Sequence, residues 1–140
     1  MSIEGKNIMH EQEYIEIGKL NIELFENIGK HLITDEVIFT YERMNHVETK
    51  RVQLFNEVKE ILPEIIYNPD YIYKDWNNRE NTLVLIKSLD EKLKLNVVLK
   101  IAILCDEKHT KNSIITMIKI GKKTFNKIKR NKKENLLYEN

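Results

Sequence analysis

The stretch YERMNHVETKR, residues 41–51, sets His46 among three cations: Arg43 three residues before it, Lys50 four after, and Arg51 next in line. An imidazole has a reference pKa of about 6.5, so it can take or give a proton near neutral pH. Neighbouring cations favour its neutral form and can hold phosphate oxygens. That combination suits acid–base work at a phosphodiester, and it equally describes a surface histidine beside unrelated cations. A second group is the run from Lys119 to Lys133, which holds eight basic residues and no acid. Such a run binds phosphates by pairing and counterion release, or forms a solvated helix face.

Other chemistries are missing from the pattern. The sequence has no Gly-rich phosphate loop, no CxxC pair, no HExxH and no nucleophile elbow. His10, His31, His46 and His109 are scattered without ligand spacing. The expectation is therefore no metal and no cofactor, with any catalysis carried by side chains alone. The single cysteine, Cys105, permits no internal disulfide, which fits a reducing, cytoplasmic setting. The first residues contain no apolar h-region, and no apolar run reaches the roughly 20 residues that span a bilayer.

The elements that must position these groups follow from periodicity. The 140 residues and a 41% hydrophobic share suit one globular domain. Residues 1–16 are expected to be poorly structured, and residues 17–140 to form that domain. Residues 1–50 hold ten Asp or Glu against five Lys or Arg, a local charge of −5, and residues 51–140 carry +6. TDEVIFT reads as a brief strand. From Tyr41 to Leu62, Met44, Val47, Leu54, Phe55, Val58, Ile61 and Leu62 recur at helical steps, with His46 off that stripe.

Beyond Pro63 and Pro69 come four β-like segments, DYIYKD, NTLVLIKSL, KLNVVLKIAIL and NSIITMIKI, separated by short polar turns that suit hairpins. In the third, Leu95, Val97, Leu99, Ile101 and Ile103 form one apolar face, leaving Lys100 mid-strand on the mixed face with Asn96, Val98 and Ala102. A lysine there needs water or an anion beside it. Lys87 shares parity with Leu83, Leu85 and Leu89. Parity in NSIITMIKI does not decide whether Thr116 shares the face of Lys100. Tyr71, Tyr73 and Trp76 can stack bases or serve as packing material. The expected fold class is α+β: N-terminal helices packed on a four-stranded antiparallel sheet, closed by a basic helical C-terminal tail.

Taken in order, TDEVIFTYERMNHV, NPDYIYKD, NTLVLIK, LNVVLKI, NSIITM and KIKRNKKENLLY resemble the phage branch of the barnase–EndoU–colicin–RelE-like nuclease superfamily, from about Ile17 to Tyr138. The resemblance implies metal-independent RNA cleavage on the sheet's open face. It assigns the helix histidine to His46, the preceding arginine to Arg43, the strand lysine to Lys100 and the last-strand hydroxyl to Thr116. Arg51, Lys87, Asn112, Lys129 and Arg130 complete the expected substrate contacts. Where relatives often carry a second histidine and then a proline, this chain has Arg51 and Val52. RNA is the implied partner, with a neutralising protein as a further one and no membrane. A non-catalytic RNA-binding or phage accessory domain is the alternative.

Overall fold

A computed structural model describes residues 13–46, 49–103 and 111–140, and leaves the side chains of 45–46 and 49–52 undescribed. The elements are β1 (Tyr14–Lys19), α1 (Ile22–Asn27), β2 (Glu36–Thr40), α2 (Tyr41–His46), α3 (Thr49–Val58), α4 (Leu62–Tyr67), β3 (Tyr71–Lys74), β4 (Thr82–Ser88), β5 (Leu93–Lys100), β6 (Asn112–Gly121), α5 (Lys122–Asn131) and β7 (Leu136–Glu139). Local chemistry accounts for many of their ends. Asn21 caps α1 by accepting from the Leu24 N–H, and Gly29, at φ 80°, leaves that helix in the left-handed region. Thr40 Oγ1 accepts from the Arg43 N–H and starts α2 directly at the end of β2. Pro63 stands in the first turn of α4, where its missing N–H costs nothing.

One sheet unites the strands in the order β1-β2-β6-β5-β4-β3-β7. All neighbours run antiparallel except β2 and β6, which are parallel. Two turns of the central meander are built by aspartates. Asp90 Oδ1 accepts from the Lys92 and Leu93 N–H groups, both at 2.8 Å, and closes the β4–β5 hairpin. Asp75, almost fully buried, accepts from the backbone of Asn77 and Arg79 and from the Arg79 guanidinium, which holds it at 2.8 Å. Asn78 and Asn81 supply the positive φ angles of that β3–β4 loop.

The sheet's first face bears the main core. Phe25 of α1, Leu54, Phe55 and Val58 of α3, and Leu62, Ile65 and Ile66 of α4 pack on Leu83, Leu85, Leu95, Val97, Leu99, Ile114 and Met117. Each such side chain contributes about 1.5–3 kcal/mol on burial. Gly18 lets β1 lie close under α4, since a Cβ there would meet Pro63 Cα at 3.2 Å. A smaller cluster on the second face joins Tyr73, Val84, Ile86, Val98 and Ile120 to Phe125 of α5.

The expected arrangement is corrected in three respects. The four segments after Pro69 are strands β3 to β6 in hairpin order, but the sheet has seven strands, not four, and is mixed, not antiparallel. β1 and β2 join it through the parallel β2–β6 pairing, a long-range contact that no local pattern announces. Helices occupy both faces, because α5 lies opposite α1, α3 and α4. Finally, the C-terminal tail is not all helix. It turns at Lys133–Asn135, where Asn135 donates to the Lys74 carbonyl, and Leu136–Glu139 becomes edge strand β7 beside β3.

Candidate nucleic-acid interface

Register on β5 and β6 decides which polar side chains share a surface. Thr82, Lys100 and Ser113 face one another across β4, β5 and β6, as do Ile86, Asn96 and Ile118. A bulge at Val98/Leu99 sets Thr116 opposite Val98 and Ile114 opposite Leu99. Ile114 and Met117 therefore both enter the first core although they are three residues apart, and Thr116 joins Val98 on the second face. Lys100 and Thr116 thus share the second face, which parity alone left open. Both are half-buried, and Lys100 makes no ion pair among the described residues. Ile118 beside them is 37% exposed, so α5 covers only part of this face.

α5 meets the sheet through aromatic rings. Phe125 packs on Tyr71 with centroids 4.9 Å apart, Lys94 Nζ stands 4.6 Å above the Phe125 ring, and Lys129 Nζ lies 5.9 Å from that of Tyr71. Tyr73 is buried beneath, and burial raises its phenol above the usual range. Tyr71 and Tyr73 are therefore packing material, and Trp76 meets Tyr73 edge-on.

The basic run divides in two. Lys119, opposite Leu95, projects on the first face and pairs with Glu57 at 3.0 Å. From Lys122 onward the pairing stops. Lys122, Lys123, Lys127, Lys129, Arg130, Lys132 and Lys133 make no ion pair among the described residues, and all except half-buried Lys132 are exposed. Three cations elsewhere are held by carboxylates: Arg79 by Asp75, Lys87 by Asp70 and Lys111 by Glu36. The Arg79 hydrogen bond holds the Asp75 carboxyl below the ordinary range against the opposing effect of burial, and Lys111 does the same for exposed Glu36.

The remaining sequence candidates separate. Asn112 is fully buried: its Oδ1 accepts from the Ala102 N–H, and its Nδ2 donates to the Thr34 and Glu36 carbonyls. That side chain pins the start of β6 to the chain beyond β5 and to β2, which corrects its assignment as a substrate contact. Lys87 donates to the Asn68 carbonyl at 2.6 Å and ties β4 to the α4–β3 connection, so it too belongs to the scaffold. Arg43 is exposed in the first turn of α2. Met44 in the same helix packs against the first core, whereas Lys100 and Thr116 lie on the second face. The side chains of His46 and Arg51 lie outside the described residues, as do Cys105, His10 and His109.

Sequence reasoning missed Asn96. It is 5% exposed, and its Oδ1 has no hydrogen-bond partner among the described residues. The one signal was its parity with Lys100 on the mixed face of β5. Among the described residues, no helix is long and apolar enough to cross a membrane. No family model, curated protein or solved structure matches this chain.

Proposed function

We propose that this chain binds RNA along α5 and the adjoining second face of the sheet. The observation that supports this is the set of seven cations from Lys122 to Lys133 without a carboxylate partner among the described residues, five of them on a helix whose apolar residues already pack on the sheet. Like charges at this density repel one another, and a polyanion relieves that repulsion while releasing its counterions. RNA in particular follows from the sequence resemblance, and a cytoplasmic setting follows from cysteine usage. Titrating labelled RNA at several salt concentrations tests the proposal, with DNA of the same sequence as competitor. Binding should weaken steeply with salt, and RNA should win the competition. Binding that is insensitive to salt would overturn the α5 assignment.

A second function is metal-independent RNA cleavage. It is favoured by Lys100, which has no carboxylate partner among the described residues and shares a face with Thr116. His46 would take the 2′-OH proton or protonate the departing 5′-oxygen. Attack of the 2′-oxygen on phosphorus forms a cyclic phosphate as the 5′-oxygen leaves. Lys100 would hold the phosphate, and Thr116 would orient one of its oxygens. A protein covering the second face would then act as a neutralising partner. Incubating RNA in EDTA with wild type, His46→Ala and Lys100→Ala tests it directly. Cleavage lost in both variants supports the assignment, and intact RNA with wild type ends it while leaving binding in place.

A further inference from the structure

Helical periodicity sorts the cations of α5 into lines. Phe125 and Ile128 mark the stripe that faces the sheet. At about 100° per residue, Lys123, Lys127 and Arg130 fall within about 60° of one another on the opposite side, and all three are exposed. This ridge spans about 10 Å along the axis at a rise of about 1.5 Å per residue. Three cations in line can pair with about three phosphates of one nucleic-acid strand.

Lys122 and Lys129 form a second line on one flank, and that flank is different. Lys122 borders a cleft of about 370 Å³ between α5 and the β4–β5 turn, together with Lys92 and Lys94 but also Asp90 and Glu91. Backbone hydrogen bonds from Lys92 and Leu93 hold the Asp90 carboxyl below the ordinary range, so it is ionised at neutral pH. Lys129 and Lys94 are drawn down over aromatic rings. The ridge thus offers an acid-free track to one backbone, while a second backbone on the cleft side would meet two carboxylates set among three lysines, one of them drawn onto the Phe125 ring. An anionic bilayer fits less well, because the apolar residues of α5 already face the sheet and have nothing to insert.

We infer that the ligand of α5 is a single RNA strand, with its backbone along Lys123, Lys127 and Arg130 and a duplex disfavoured by Asp90 and Glu91. This rests on the RNA-binding function proposed above. The test measures fluorescence anisotropy of a labelled 12-nucleotide RNA, alone and as a duplex, over a salt series. It uses wild type, a Lys123→Gln, Lys127→Gln, Arg130→Gln triple variant, an all-arginine counterpart at the same positions, and Asp90→Asn with Glu91→Gln.

Wild type should bind the single strand at least about tenfold more tightly than the duplex, with a log–log salt slope near about −2 for three phosphates. The glutamine variant should lose about tenfold or more in affinity and most of the slope, and the arginine variant should retain both. The Asp90/Glu91 variant should gain several-fold for the duplex alone. Equal affinity for both RNAs, or an unchanged glutamine variant, overturns the inference and leaves RNA binding intact. Failure of wild type to bind any RNA ends both, and so does tight binding to phosphatidylserine vesicles in its place.

Discussion

On one face of β5, Leu95, Val97 and Leu99 vanish beneath α1, α3 and α4; on the other, Asn96, Val98 and Lys100 lie on the face that also carries a single basic helix. On the first side Lys119 is matched by Glu57. The cations of α5 have no such match among the described residues, although only two residues separate Lys119 from Lys122. The first face contributes packing that falls short only if a methylene is removed. The second retains features that lower stability without a ligand: clustered like charge, an amide oxygen without a partner, and a lysine in mid-sheet. Features that cost stability and have no structural use are where function is expected.

Substitutions that act on one face and spare the other break or sharpen this contrast. The largest effect should come from Leu85→Ala, which leaves a cavity in the first core and should cost about 3–4 kcal/mol in denaturant unfolding. RNA affinity of the fraction that remains folded should not change. Asp75→Asn removes an ionised acceptor from its buried pairing with Arg79 and should cost about 2 kcal/mol. The Asp75 carboxyl has a lower pKa folded than unfolded. Its contribution is therefore full above the ordinary carboxylate pKa of about 4 and is lost as pH falls through the folded value. An unfolding series from pH 6 downward should show a shallower acid loss in Asp75→Asn than in wild type.

On the second face, Asn96→Leu should raise stability by about 1 kcal/mol, because the unpartnered amide oxygen is replaced by apolar contact with Ile86 and Ile118. A loss of stability would mean that Asn96 has a structural partner after all. Lys100→Ala should change stability least, by under about 0.5 kcal/mol. Its RNA affinity should still fall measurably if the strand reaches beyond α5 across the sheet, and a calorimetric titration distinguishes the two effects.

The contrast itself was partly legible. Period-two alternation in KLNVVLKIAIL separates the two faces of β5 because the strand is long and one of its faces is wholly apolar. NSIITMIKI defeats the same rule: the bulge at Val98/Leu99 shifts the register mid-strand, and no residue type marks it. The parallel pairing of β2 with β6 was invisible because it joins segments more than seventy residues apart. Charge counting saw the basic run from Lys119 to Lys133, but only strand register divides it into a paired lysine and an unpaired helix. Asn112 misled for a related reason. An asparagine opening a strand looks like a ligand contact in sequence, and its three hydrogen bonds are formed only when β2, β6 and the end of β5 converge. Both edges of the sheet carry a bulge, at Glu16/Gly18 in β1 and at Ile72/Tyr73 beside β7, which discourages edge-to-edge association.

The claim that one face serves stability and the other serves recognition is tested most directly by comparing two charge neutralisations on the same RNA. Lys119→Gln removes a paired cation from the first face, and Lys127→Gln with Arg130→Gln removes unpaired ones from α5. RNA affinity should be unchanged by the first and at least about fivefold weaker, with a flatter salt dependence, for the second. Equal losses, or a greater loss at Lys119, would contradict the assignment of the second face to the ligand.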